Sequence, residues 1–513
     1  MSAGRRTEDR IGLEVIAGFL RSACDEMGAV LVRASYSPNI KERRDCSTAV
    51  FDARGELVMQ AAQIPVHLGS MPDAVGAVLG ETHREGDLWI LNDPFRGGTH
   101  LPDLTAISPA FDSEGDLLGF VANRAHHADI GGPTPGGMPA NSSTLEEEGI
   151  VIPPTRADEA TLTEIAERTR QPAERLADLR AQLAANRTGL SRLEEARERF
   201  GDAELRVGMA AILDYSERRM RAAIEGLDDG SIEVEDFLDA ADGSAVRLRL
   251  RLEVSGEEMR FDFTGTDDQV AGNLNCPASV TRAACLYAVR VACDPDAPPS
   301  AGSWRPVLIT IPDGAVLSAR PPAAVAAGNV ETSSRVADLA LRALGAFTDV
   351  PADGQGTMNN LTLSGEGFTY YETIGGGQGA CAESDGPSAV HVAMSNTLNT
   401  PVEALESELP VRVRQLAVRR GSGGDGLHRG GDGIVRELEA LEPMLYTLIG
   451  ERRGRAPRGR NRGEDGKPGA DFLNGERIPA KSSGHLDPGD RLRIETPGGG
   501  GQGEPGRRPD CDE

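Results

Sequence analysis

The sequence predicts a mixed α/β (α+β) protein of several subdomains, with mixed sheets, one long helical segment and a Gly-rich, β-rich C-terminal part. Three observations carry this. The chain has 513 residues, more than one hydrophobic core organises. The apolar period changes along it, from three-and-four spacing between Leu162 and Leu227 to strict alternation in VRLRLRLEV (246–254). The last third is broken by glycine runs, in a chain with 62 glycines.

Taken in order, Ile11 to Ser35 has apolar residues at helical spacing and is expected to be a helix. CSTAVFD and ELVMQ flank Ala53-Arg-Gly55 and read as a hairpin, with Asp45 opening its first strand. His67 precedes a helix expected to run to about Leu79 and reads as a helix-start or wall residue. DLWIL (87–91) is a strand that delivers Asn92-Asp93-Pro94 into a Gly-rich turn. Leu104–Phe111 and Leu117–Ala122 are two neighbouring strands. The long Gly- and Pro-rich stretch after Asp129 reads as a wall or lid, with Glu146, Glu147 and Glu148 in it. Helices with breaks at Pro172 and Gly201 follow, then strands from Gly230, a helix holding Cys285 and Cys293, and an amphipathic helix after a Gly-Asn turn at 328–329. The block Arg452–Arg462 reads as a solvated loop. Boundaries near 228–230 and 348–354 divide the chain. The expected regions are 1–160 (N-terminal, metal site), 161–229 (helical scaffold), 230–350 (α+β middle) and 351–513 (Gly-rich, β-rich).

Composition excludes several classes. A net charge of −26 argues against nucleic acid, whose phosphates need a basic surface. No apolar run approaches the twenty residues of a membrane span, and no apolar segment follows the N-terminal charges as in a secretory signal. Seven cysteines, an odd number without CxxC, point to reduced thiols in a cytoplasmic protein. Lysines number three (Lys41, Lys467, Lys481), which fits either a salt-adapted cytoplasm or a GC-rich genome. No P-loop and no GxSxG occurs, and GSGGDG (421–426) lacks the helix a dinucleotide site requires. Cys381, in a Gly loop, has only the distant His391 as a base.

The chemistry gathers between Asn92 and Gly132. His100-x-x-Asp103 puts an imidazole and a carboxylate on one turn, and the two strands after it return His126-His127-x-Asp129 to the same end. Such a nitrogen-and-carboxylate set suits a divalent ion such as Zn, Mn or Fe(II). Strand histidines alternating between two faces are the structural alternative.

The segments KERRDCSTAVFD, QIPVHLGSM, NDPFRGGTHLPDLTAISP, AHHADIGG, EEEGIVIPP, GNVETSSR, YETIGGGQG, NTPVEALE and TPGGGGQG together resemble the B component of the hydantoinase/oxoprolinase family. That family takes in the B component of N-methylhydantoinase, the C-terminal half of 5-oxoprolinase, and acetone and acetophenone carboxylase subunits. The resemblance runs from about Asp9 to Gly503. It implies a hydantoinase B-type fold, metal ligands at Asp45, His100, Asp103 and His126 of the histidine pair, and a hydantoinase A-type ATPase partner in an A2B2-type heteromer. ATP is expected at that partner, which phosphorylates the carbonyl oxygen of a cyclic amide; the B component then opens the ring. His127 or Asp129 is expected to act as base or to orient the water. The glycine motifs 375–379 and 499–503 are expected to shape the pocket through their N–H groups. An ATP-dependent ketone carboxylase subunit is the alternative, and the length of the chain favours hydrolysis. One departure is Arg458-Gly-Arg-Asn-Arg462, where relatives carry an aromatic and Gly-Leu.

Overall fold

The computed structural model describes residues 3–61 and 64–506; Cys511 and Gln63 of the QIPVHLGSM segment lie outside them. The chain opens with α1 (Ala3–Ala34) and a one-turn α2 (Pro38–Lys41), then the hairpin β1 (Cys46–Asp52) and β2 (Leu57–Ala61). The expected helix to Leu79 is instead two short pieces, α3 (Pro65–Leu68) and α4 (Met71–Gly76). Strands β3 (Trp89–Leu91), β4 (Asp103–Phe111), β5 (Leu117–His126) and β6 (Thr155–Arg156) complete a six-stranded sheet ordered β2-β1-β5-β4-β3-β6. Strand β5 runs four residues beyond the expected Ala122, so its last residue is His126 itself.

Helices α5 (Glu159–Glu167), α6 (Pro172–Phe200) and α7 (Asp202–Glu225) break where Pro172 and Gly201 stand. Pro at N1 supplies a preset φ without costing a hydrogen bond, and Gly201 adopts φ +85°. One apolar core joins α1 (Leu20, Met27, Leu31), the sheet (Val50, Met59, Val121) and α6 and α7 (Ala185, Leu193, Met209). Thus the helical segment is the back wall of the first sheet.

The second sheet holds β7 (Gly230–Asp239), β8 (Ala245–Ser255), β9 (Glu258–Asp262) and β10 (Val307–Thr310), in the order β10-β9-β8-β7. The alternation in β8 is realised: Val246, Leu248, Leu250, Leu252 and Val254 are buried against α8 (Ala278–Cys293) and α9 (Ser333–Leu344). The expected Gly-Asn turn before α9 is a π-helical turn, Gly328–Thr332, continuous with the helix. Such turns re-aim side chains at functional sites, and here it carries Asn329 towards the first sheet.

The last third forms two sheets from β11 (Asn360–Gly365), β12 (Phe368–Glu372), β13 (Val411–Arg419), β14 (Gly433–Ala440), β15 (Met444–Ile449), β16 (Ala470–Leu473), β17 (Glu476–Ile478), β18 (Lys481–Leu486) and β19 (Arg491–Glu495). They are ordered β12-β11-β15-β18 and β13-β14-β19-β16-β17, with a short α10 (Val402–Glu408) beside them and Leu361, Tyr370, Leu438 and Ile494 in a shared core. Beside them the glycine segments pack against one another as extended backbone: Gly377 N donates to Pro497 O, Gly499 N to Gly431 O and Ala380 N to Gly500 O. A Cβ on Gly377 would overlap Gly431 O and Gly499 N. The two GGGQG motifs therefore do meet. The N–H groups of 376–378 and 499–503 are spent on neighbouring segments, so these eight are not free for the pocket the motifs were expected to shape.

The start of the arginine block departs from the solvated loop expected, whereas Arg458 and Arg462 are exposed. Arg452 is fully buried, bonded to Asp338 at 2.6 Å and Asp353 at 3.2 Å, and Arg453 pairs with Asp471 at 2.8 Å. Arg452 clamps α9 to the glycine-rich part, and Arg453 holds β16. Among the described residues no helix is long and apolar enough to cross a membrane. Cys24, Cys46, Cys276 and Cys285 are buried, and burial pushes the Cys24 and Cys276 thiols up to about 12.

Candidate metal centre

The centre lies at one end of the first sheet. Asp103 opens β4 and His126 closes β5, and the two face each other in the antiparallel register. His100 comes from the turn before β4. That turn is fixed by Asp93, whose side chain accepts from Phe95 N at 3.0 Å, and by Gly97 at φ +101°, which a side chain rarely adopts. Asn92 ties the same turn to the chain beyond the histidine pair, donating to Leu101 O at 2.8 Å and Ile150 O at 2.9 Å. One ligand atom from each of His100, Asp103 and His126 lies within 4.8 Å of the others, and all three residues are buried.

Four atoms here have no hydrogen-bond partner: Nδ1 and Nε2 of His100, Oδ1 of Asp103 and Nε2 of His126. Leaving a buried polar atom unsatisfied costs about 1–3 kcal/mol, so a cluster of them calls for something to bind. A divalent cation matches two imidazole nitrogens and a carboxylate oxygen. On this test the residues present fit the ion expected from sequence.

The surroundings hold the cluster in shape. Asp103 Oδ2 accepts from Thr99 Oγ1 at 2.6 Å and Asn329 Nδ2 at 3.4 Å, and stands 3.4 Å from His100 Nε2 and 3.5 Å from His67 Nε2. Burial alone would push the Asp103 carboxyl up, yet His100 and His67 beside it bring it well below the usual carboxylate range. Burial, aided by His100 and Arg43, holds His126 well below the usual histidine range, so it is a neutral donor. Its ring stacks on Tyr371 at 4.5 Å and 10°, and its Nδ1 lies 3.1 Å from Asn39 Nδ2.

Asp45 sits beside the three and is not one of them in their present arrangement. Its Oδ2 is 3.7 Å from Arg43 Nη2, its carbonyl accepts from His126 N at 3.0 Å, and burial raises its carboxyl. His67 stands closer to the cluster than the sequence suggests: it touches Asp103 while Ser47 Oγ holds its Nδ1 at 2.9 Å.

His127 and Asp129 turn elsewhere. His127 Nε2 meets Gln182 Oε1 at 3.0 Å and Nδ1 meets Arg175 Nη1 at 3.2 Å, leaving no free nitrogen. Burial and Arg175 lower its pKa to about 4. Asp129 accepts from Gly131 N, Gly136 N, Arg170 N and Arg170 Nη1, which uses all four lone-pair sites. The expectation that either orients a water finds no free atom to do it.

Sequence reading missed Asn39, Arg43, Tyr371 and Asn329, which reach the centre from α2, its exit, β12 and the π-helical turn. Only position within the GNVETSSR and YETIGGGQG segments hinted at the last two. Of the acidic triplet, Glu148 is the buried member, accepting from Val325 N at 3.0 Å and Ala326 N at 2.9 Å and so fixing the approach to Asn329.

Comparison with known proteins agrees over the whole length. The profile of the Hydantoinase B/oxoprolinase family matches residues 9–505. The chain is 40% identical to 5-oxoprolinase 1 of Arabidopsis thaliana, over 96% of this chain and 42% of that protein. It therefore spans about two fifths of that relative's length. It is 29% identical, over 97% of its length and 90% of the other's, to the B component of a candidate D-/L-hydantoinase from a Pseudomonas species. The crystal structure of ATP-dependent caprolactamase from Pseudomonas jessenii superposes with a TM-score of 0.90 at 27% identity, over 98% of this chain and 92% of that one.

Proposed function

The chain belongs to the Hydantoinase B/oxoprolinase family, and from that premise we propose that it is the metal-bearing B component of an ATP-dependent cyclic-amide hydrolase. It works with a hydantoinase A-type ATPase partner, as an A2B2-type heteromer. Its relatives named for 5-oxoproline, hydantoin and caprolactam share a ring amide as the bond in question. One observation carries the reading: one ligand atom each from the buried His100, Asp103 and His126 lies within 4.8 Å of the others, and each of these residues has a buried polar atom without a hydrogen bond, in a family tied to such rings.

In this reading the partner phosphorylates the ring carbonyl oxygen, which converts a poor electrophile into an O-phosphorylated imidate. Water adds at its carbon, the ring C–N bond breaks with a proton passing to the nitrogen, and a second water hydrolyses the resulting acyl phosphate to carboxylate and inorganic phosphate. His100, Asp103 and His126 would hold the divalent ion, and Asp45 beside them would join as a fourth ligand. When bound, the ion polarises the activated carbon's substituents and lowers the pKa of a water toward neutrality. The chain's own residues do the rest. Thr99 and Asn329 hold Asp103 Oδ2 beside His100 Nε2 and leave Oδ1 without a hydrogen-bond partner. Tyr371 and Asn39 fix the His126 ring. Burial keeps bulk water from a reactive imidate. His127 and Asp129 serve as positioning residues, tying the end of β5 to α6 and folding the Gly-rich loop back on itself.

The test is turnover by the chain co-expressed with its A-type partner, on a panel of lactams and hydantoins with ATP, and on ketones with ATP and bicarbonate. Ring opening coupled to ATP hydrolysis is expected. Carboxylation of a ketone with no lactam turned over would contradict the proposal.

A further inference from the structure

We propose that Asn39 is a positioning residue whose carboxamide sets the tautomer of His126 and rotates by half a turn when that histidine takes an ion. The inference rests on the ion-binding reading above. Asn39, 1% exposed in the one-turn α2, points its Nδ2 at His126 Nδ1, 3.1 Å away. An amide NH2 can only donate, so the imidazole nitrogen facing it accepts. A neutral imidazole that accepts at Nδ1 carries its proton on Nε2. With Nδ1 facing Asn39, Nε2 is the ring nitrogen left without a hydrogen-bond partner and free to ligate, and an N–H cannot ligate a cation.

For His126 to ligate through Nε2, its single proton must reside on Nδ1. The ring then needs an acceptor where Asn39 Nδ2 now stands. The ring itself does not turn over readily, because Tyr371 is stacked flat on it at 4.5 Å, with Arg43 in turn 5.2 Å from the Tyr371 ring centre. The carboxamide is freer. Its Oδ1 accepts only one long bond, from Arg43 Nη1 at 3.5 Å, and that nitrogen keeps its 3.0 Å bond to Tyr371 O. Rotation brings Oδ1 to the Nδ1–H; it gives up the 3.5 Å bond from Arg43 Nη1 and turns Nδ2 toward that nitrogen, which keeps its bond to Tyr371 O. The imidazole stays neutral throughout: one proton leaves Nε2 and one is gained at Nδ1. The finished arrangement is an oxygen acceptor, an imidazole and an ion in a row, the pattern that orients metal-ligating histidines.

The experiment is the affinity of the full-length chain for Zn2+ and for Mn2+, by competition with a chromogenic chelator, in wild type, Asn39→Asp and Asn39→Leu. A carboxylate at 39 accepts from Nδ1–H without rotating, so Asn39→Asp should bind about 10-fold tighter than wild type. Asn39→Leu removes the acceptor and should bind about 10-fold more weakly. Should the leucine variant fail to fold, Asn39→Ala replaces it with the same expected loss. Histidine 15N shifts should move His126 from the Nε2–H to the Nδ1–H form on loading. Asn39→Asp binding no tighter than wild type, or an unchanged tautomer, overturns the proposal. Wild type that binds neither ion would instead sink the function proposed above.

Discussion

At the scale of single residues, the account turns on His100, whose two ring nitrogens are buried without a hydrogen bond while Nε2 stands 3.4 Å from Asp103 Oδ2. A ligand that binds only the folded chain stabilises it by mass action, about 2.7 kcal/mol at a hundredfold excess over Kd. Zn2+ or Mn2+ should therefore raise the Tm of wild type, and His100→Ala should abolish that rise, as thermal unfolding with and without ion will show. Glu148 gives a second residue-level prediction. Burial raises its carboxyl from 4.5 to about 7, against the pull of the Val325 and Ala326 N–H groups. A carboxyl raised on folding binds more protons in the folded state. Its contribution is thus fullest below about 4.5 and is lost as pH rises through about 7, on the order of 3 kcal/mol in all. Unfolding in urea from pH 5 to pH 8 should show that decline, and Glu148→Gln should flatten it. The site was half legible from sequence at this scale. His100, Asp103 and His126 stood out because both kinds of ligand crowd one turn and one strand end. Asn39 and Tyr371 did not, since nothing local tells an asparagine in a one-turn helix that a histidine 87 residues on lies against it.

Among the elements, the glycine segments make the sharpest claim. Gly377 has backbone from two other segments where a side chain would start, and neither can move without breaking its own hydrogen bonds. Gly377→Ala should cost more than about 4 kcal/mol or prevent folding, whereas Gly272→Ala, which meets nothing within 4 Å, should be near neutral in the same chemical denaturation. The helices and hairpins could be read from period and punctuation, because Pro172, Gly201 and the alternation of β8 act within a few residues. The glycine bundle could not. Its segments are extended and satisfied only by one another, a pattern with no periodicity to detect. The π-helical turn was hidden for a similar reason: its extra residue is set by the packing of Asn329 and Glu331, while the local sequence resembles a capped helix.

For the molecule as a whole, charge is the organising quantity. A net −26 coexists with buried guanidiniums, so the acids dominate outside while Asp236, Asp338 and Asp353 neutralise Arg335, Arg342 and Arg452 within. Removing one member leaves a buried charge uncompensated, and Asp338→Ala should cost about 3–5 kcal/mol in denaturant unfolding. Surface repulsion responds to salt, with a Debye length near 3 Å at 1 M. The apparent Tm is therefore expected to climb with molar KCl, and a Tm indifferent to KCl would remove the salt-adapted reading. The arginine block showed why charge in a sequence misleads: six arginines in eleven residues suggest a solvated loop, and only the fold reveals that Arg452 and Arg453 are clamped by acids from elsewhere.

The central claim is that His100, Asp103 and His126 hold the ion on which ring opening depends. It is tested most directly by metal content of the chain co-purified with its A-type partner, for wild type and His100→Ala, with ATP-dependent lactam hydrolysis measured on the same samples. The account predicts about one metal per copy of this chain in wild type, lost together with hydrolysis in the variant. Full hydrolysis by metal-free protein would contradict it.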